Sequence, residues 1–81
     1  MDEATVRAAV RDYITNELLH DRNVRFTDDE GIISGGLMDS FALAQLAVFA
    51  EEAFGVYIPD PDLTVDKMDT LDLMVARILR G

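Results

Sequence analysis

The sequence predicts an all-α fold: a small four-helix bundle of three longer helices and one short helix, with a long loop between helices 1 and 2. Three observations carry this. Apolar residues recur at helical spacing in three separate stretches, no alternation of Val and Thr is long enough for a strand, and cap or turn residues stand between the stretches. The 81 residues read as one domain, 1–81. Chains of this size bury only about 60% of the surface their unfolded form exposes, which leaves little core to house a deep active site.

The first helix is expected from Glu3 to Leu19, where Val6, Val10, Tyr13, Ile14 and Leu18, with Ala9 between them, draw one apolar stripe. Asp21 to Met38 then form a connection of 18 residues. Loops beyond about 12–15 residues are uncommon in compact domains and are usually functional or disordered. Phe26, Ile32, Ile33 and Leu37 give this one apolar anchors, so it is read as ordered. The second helix begins at Asp39 or Ser40 and runs to Phe54, where Gly55 supplies a left-handed stop. Pro59 and Pro61 fix an extended turn across residues 58–62, and a short helical turn follows around Thr64 to Met68. The last helix runs from Thr70 to Arg80, with Leu71, Met74, Val75, Ile78 and Leu79 on one side. Asp69 and Asp72 stand at its start and Arg77 and Arg80 at its end, the arrangement a helix dipole favours.

Charge narrows the function. The net charge is -9, and from Phe26 to Asp66 there are acids but neither Lys nor Arg. Outside that stretch acids and bases balance, so the whole net charge belongs to it. A pI near 4.2 repels phosphate backbones and anionic lipid, which excludes nucleic acid and membrane surfaces as partners and points to proteins carrying Arg and Lys. There is no cysteine, hence no disulfide framework, thiolate metal site or cysteine nucleophile. The start, Met1-Asp2-Glu3, is acidic and the longest apolar run is Leu46 to Ala50, so neither a signal peptide nor a membrane span is expected, and the location expected is cytoplasmic.

The second helix carries two sets of apolar side chains. At about 100° per residue, Leu43, Leu46, Ala47, Ala50 and Phe54 form one broad stripe, the expected core face. Phe41, Ala44 and Val48 fall opposite, among Gln45, Glu51 and Glu52. They are either tucked under the long loop or exposed as an apolar strip with an acidic rim, the composition of a contact surface.

At the head of this helix Asp39-Ser40 reads, taken alone, as an N-cap. The reciprocal capping box is missing, since position 43 is Leu where Glu or Gln is needed. A nucleophilic serine needs a base and an oxyanion hole. The one histidine, His20, ends the first helix and is read as a helix C-terminal cation or a surface residue; the G-x-S-x-G elbow is absent. The chain is therefore not expected to be an enzyme. Asp28-Asp29-Glu30 and Asp60-x-Asp62 lack EF-hand spacing and read as solvated charges, so no metal site is expected.

The run Gly36-Leu37-Met38-Asp39-Ser40-Phe41, followed by Glu51-Glu52-Ala53-Phe54-Gly55-Val56-Tyr57-Ile58-Pro59-Asp60, resembles the acyl and peptidyl carrier proteins. That family shows Asp-Ser-Leu at the head of its second helix, then Glu-Glu-x-Phe and Ile-Pro, and the likeness extends over essentially the whole chain. The resemblance implies 4'-phosphopantetheine, donated by coenzyme A, on Ser40 through a phosphodiester, with Asp39 as the motif acid that orients Ser40. It implies a recognition surface of Phe41, Ala44, Val48, Glu51 and Glu52, and a cargo cleft bordered by the inner face of the second helix and the last helix. The partners implied are a phosphopantetheinyl transferase, a loading enzyme (an adenylation domain or acyltransferase), and downstream synthase or tailoring enzymes, met by a monomer. Phe41 stands where leucine is common, and Ala42, Ala44 and Gln45 stand where fatty-acid carriers are more acidic. These departures favour a discrete carrier of polyketide or nonribosomal peptide pathways. The other reading is a small acidic helical adaptor that binds a basic protein without modification.

Overall fold

The computed structural model describes residues 1–19, 21 and 23–81. His20, read from sequence as the end of the first helix, lies outside them. The described residues are helical throughout their regular structure and contain no strand. The α-helices are α1 (Glu3–Tyr13), α2 (Ser40–Phe54), α3 (Val65–Met68) and α4 (Leu71–Arg80); a 3-10 turn, Asp60–Asp62, precedes α3 within the expected extended turn. This is the small helical bundle that the apolar stripes predict.

The first helix departs from the expected continuous α-helix over Glu3 to Leu19. After Tyr13 it widens into a π segment, Ile14–Leu18, closed by the Leu19 N–H donating to the Ile14 carbonyl at 2.9 Å. Its buried residues Val6, Val10, Ile14 and Leu18 are spaced by fours. In an α-helix each step of four overshoots a full turn by about 40°. A wider i→i+5 turn takes back part of that drift and keeps Leu18 on the buried line.

α1 packs against α4, whose Leu71, Met74, Val75 and Ile78 are sealed from solvent. The inner face of α2 closes the bundle with Ala42, Leu43, Leu46 and Ala50, while Ala47 and Phe54 lie half-buried at its edge. Tyr13 on α1 stacks on Phe49 of α2, ring centres 4.1 Å apart, and Phe49 meets Phe54 edge to face. Gly55 ends α2 in the left-handed conformation, φ 69°, with its N–H donating to the Glu51 carbonyl at 2.9 Å.

The long connection is ordered by polar as well as apolar ties. Phe26, Ile32 and Met38 enter the core, and Ile33 and Leu37 pack against it. Arg11 donates to the Phe26 carbonyl at 2.8 Å and lies over the Phe26 ring. Asp28 pairs with Arg7 and Arg11 on α1, and its carbonyl accepts the Asp72 N–H at the start of α4. Asp62 likewise pairs with Lys67 and Arg77, each at 3.0 Å. Asp28 and Asp62 are thus not the solvated charges expected: arginines from distant elements reach both.

Candidate functional site

The head of α2 separates two residues that look equivalent in sequence. Asp39 is the N-cap, and its carboxylate accepts the Ala42 N–H at 2.8 Å. Ser40 is the first helical residue and is exposed; among the described residues its hydroxyl has no hydrogen-bond partner. The capping role open to both therefore falls to Asp39 alone. Ser40 is free to act on something outside the chain.

Ser40 opens a face that the bundle does not cover. Phe41 is 73% and Val48 57% exposed, and Ala44, Gln45, Glu51 and Glu52 are exposed around them. The loop does not tuck Phe41 and Val48 under itself. Ala42, which sequence grouped with Ala44 and Gln45, turns inward and is buried. Tyr57, 65% exposed just beyond the end of α2, extends the apolar area and carries no helical periodicity that could have marked it. Glu51, Glu52 and Asp60 form no ion pair among the described residues, so this side keeps its negative charge outward.

The cleft expected between the inner face of α2 and the last helix is closed among the described residues. Both surfaces are filled by their own side chains, with Leu46, Leu71, Met74 and Ile78 fully buried. A groove of about 240 Å³ lies on another edge of α2, between Ala44, Ala47 and Val48 and the following segment, Tyr57, Ile58 and Leu63. A larger cleft of about 380 Å³ between α3 and α4, bordered by Lys67, Arg77 and Arg80, contains none of the expected site residues.

The approach to Ser40 is a compact turn. The Ile32 carbonyl accepts the N–H groups of both Leu37 and Met38 at 2.9 Å, and Gly36 takes φ 88° to allow it. Asp69, placed by sequence as a helix-dipole charge, turns instead to this loop: Oδ1 accepts the Ile33 and Ser34 N–H groups and Oδ2 the Ser34 hydroxyl. Those bonds, led by the Ser34 hydroxyl, hold its carboxyl below the ordinary carboxylate range.

No cluster of His, Asp and Glu among the described residues has the geometry to hold a metal, and none of the helices described is long and apolar enough to cross a membrane. A scan against protein-family models returns no match, and neither does a search of the curated proteins.

Proposed function

We propose that this chain is a carrier protein that holds biosynthetic intermediates as thioesters on a 4'-phosphopantetheine arm at Ser40 and shows them to successive partner enzymes. One observation carries the reading: Asp39 takes the cap and leaves the Ser40 hydroxyl exposed and unpartnered at the head of a helix. The residues fit the group. A phosphodiester on Ser40 would lie at the N-terminus of α2, where the helix dipole favours an anion and where Asp39 occupies the N–H of Ala42 rather than those of Ser40 and Phe41. When bound, the group supplies the thiol that a chain without cysteine lacks.

Attachment is a phosphoryl transfer catalysed by a separate transferase. The Ser40 Oγ–phosphorus bond forms, the pyrophosphate bond of coenzyme A breaks, 3',5'-adenosine bisphosphate leaves, and the serine proton passes to a base on the transferase. The chain performs no chemistry of its own; it displays. Bare Phe41 and Val48 beside outward-facing Glu51 and Glu52 suit a partner with an apolar contact ringed by Arg or Lys, since complementary charge speeds encounter and excludes wrong partners. The partners are a phosphopantetheinyl transferase, a loading adenylation domain or acyltransferase, and downstream synthase or tailoring enzymes. The apolar early turns of α2 favour polyketide or nonribosomal peptide chemistry over housekeeping fatty-acid synthesis.

The test is incubation with coenzyme A and a broad-specificity phosphopantetheinyl transferase, followed by intact mass. The wild type gains one phosphopantetheinyl group and Ser40→Ala gains none. A wild type of unchanged mass overturns the reading and leaves an acidic adaptor that binds basic proteins unmodified. A gain by Ser40→Ala assigns the attachment to another residue.

A further inference from the structure

We propose that Asp69 is a positioning residue for Ser40: from the α3–α4 junction it clamps the 31–38 loop and thereby aims the serine at the head of α2. The inference rests on the carrier reading for its consequence and on geometry for its cause. One side chain gathers three hydrogen bonds from a segment 35–36 residues away: Oδ1 accepts from Ile33 N–H at 2.8 Å and Ser34 N–H at 2.9 Å, and Oδ2 from the Ser34 hydroxyl at 2.7 Å. A fourth bond runs through the backbone, where the Ile32 N–H donates to the Asp69 carbonyl at 2.9 Å. The Ile32 carbonyl then takes the N–H groups of Leu37 and Met38, and Met38 is buried one residue before the cap. Two hydrogen-bonded steps thus link Asp69 to Met38, the residue before the Asp39 cap of α2.

The loop is shaped around this carboxylate. A Cβ at Gly31 would lie 2.8 Å from Asp69 Oδ2 and 2.3 Å from the Ser34 hydroxyl oxygen, and a Cβ at Gly35 would lie 2.5 Å from the Gly31 carbonyl oxygen. Side chains at those positions would open the turn and pull the donors off Asp69. Charge-assisted bonds to a carboxylate are shorter and about twice as strong as neutral ones, so this centre outweighs the turn's own backbone contacts. α2 itself does not depend on it, because Asp39 caps the helix locally. Losing Asp69 should therefore leave the helix standing and the direction of its approach unset. A transferase must then select the fraction of molecules whose loop is in place, which raises the apparent KM by the reciprocal of that fraction and leaves kcat unchanged.

The experiment compares wild type, Asp69→Ala, Asp69→Asn and a core control, Val10→Ala, by two readouts: amide hydrogen exchange, and KM and kcat for pantetheine transfer from coenzyme A. Asp69→Ala is expected to speed exchange about tenfold at Ile33, Ser34, Leu37 and Met38 while α2 from Leu46 to Ala50 stays protected, and to raise KM about fivefold at constant kcat. Asp69→Asn, which keeps a carbonyl acceptor, should recover most of both. Val10→Ala should change neither, although it destabilises the fold. Unchanged exchange at Leu37 and Met38 in Asp69→Ala overturns the proposal, as does a KM no higher than that of Val10→Ala. If the wild type accepts no pantetheine, the carrier reading fails by itself. Exchange at Leu37 and Met38 then decides the positioning alone, a rise upholding it and no change overturning it.

Discussion

The two faces of α2 are built from similar residues and do opposite things. Inward, Leu43, Leu46 and Ala50 are buried in the common core; outward, Phe41 and Val48 stand largely bare on the same helix. α4 is the contrasting element in the same bundle. It buries Leu71, Met74, Val75 and Ile78 and turns Asp72, Ala76 and Arg80 outward with Leu73, 39% exposed against 73% for Phe41, close to the division a helix needs simply to close a core. The surplus of apolar surface on α2 adds nothing to the packing of this chain. On the proposed reading, stability belongs to one face of the helix and recognition to the other, so mutations should separate them.

The strongest way to break this division is from the inside. Leu46 is fully buried. Leu46→Ala should cost about 2–5 kcal/mol, the transfer term plus that of the cavity left behind, read as a lower urea midpoint. At the low end the folded protein should still accept pantetheine at Ser40, since Leu46 is not on the exposed face. A loss below about 1 kcal/mol would show that the inner face is not the core.

Acids divide in a similar way, and here the sequence misleads. Read along the chain, the stretch from Phe26 to Asp66 is one field of negative charge. Folded, Asp28 and Asp62 are tied to arginines, Asp39 caps α2, and Asp69, just past that stretch, is clamped to Ser34, while Glu51, Glu52, Asp60 and Asp66 face outward without an ion pair among the described residues. The tied acids should leave a mark in acid. The folded carboxyl of Asp69 titrates below its ordinary value because Ser34 and Ile33 donate to its charged form. Between the two values the unfolded chain binds more protons, so the contribution of Asp69 is fully present above about pH 4 and fades as pH falls through the lowered folded value. The gap in melting temperature between wild type and Asp69→Asn should therefore be flat from neutral pH down to about 5 and narrow below 4. A gap that widens in acid would reverse the sign and remove Asp69 from the tied group.

What could be read in the sequence was local or periodic. The stripes on α1 and α4, the Gly55 stop and the two-sided pattern of α2 follow from spacing alone. What could not be read depended on where distant elements meet. Arg7 and Arg11 find Asp28, and Ser34 finds Asp69, only after α1, the loop and α4 have docked. The π segment hides for a related reason: spacing by fours is compatible with a regular helix until the buried line must stay straight over the whole length. At the site, Ser40 and Asp39 stand together in sequence as equal candidates for the cap, and only the bond to Ala42 tells them apart. The resemblance implies a cleft along the inner face of α2, but periodicity identifies a buried face without saying how completely neighbouring side chains fill it, and here Leu46, Leu71, Met74 and Ile78 do.

The smallest effect on stability should come with the clearest effect on use. Phe41→Ala removes a side chain that is 73% exposed, and Val48→Glu places a charge where water already reaches. Surface substitutions of this kind change stability by no more than about 0.5 kcal/mol. Thermal melts of both variants should overlay the wild type. Turnover with a loading or accepting enzyme should fall, most for Val48→Glu, because a carboxylate brought into an apolar contact must be desolvated without a partner. Raised salt should slow wild-type encounter as well, by screening Glu51 and Glu52, but it should not repair Val48→Glu, whose defect is desolvation rather than long-range field. If either variant melts markedly lower, its side chain belongs to the core and the outer face is not free. If both melt normally and turn over normally, the bare strip is not where partners dock, and the outward acids alone must account for recognition.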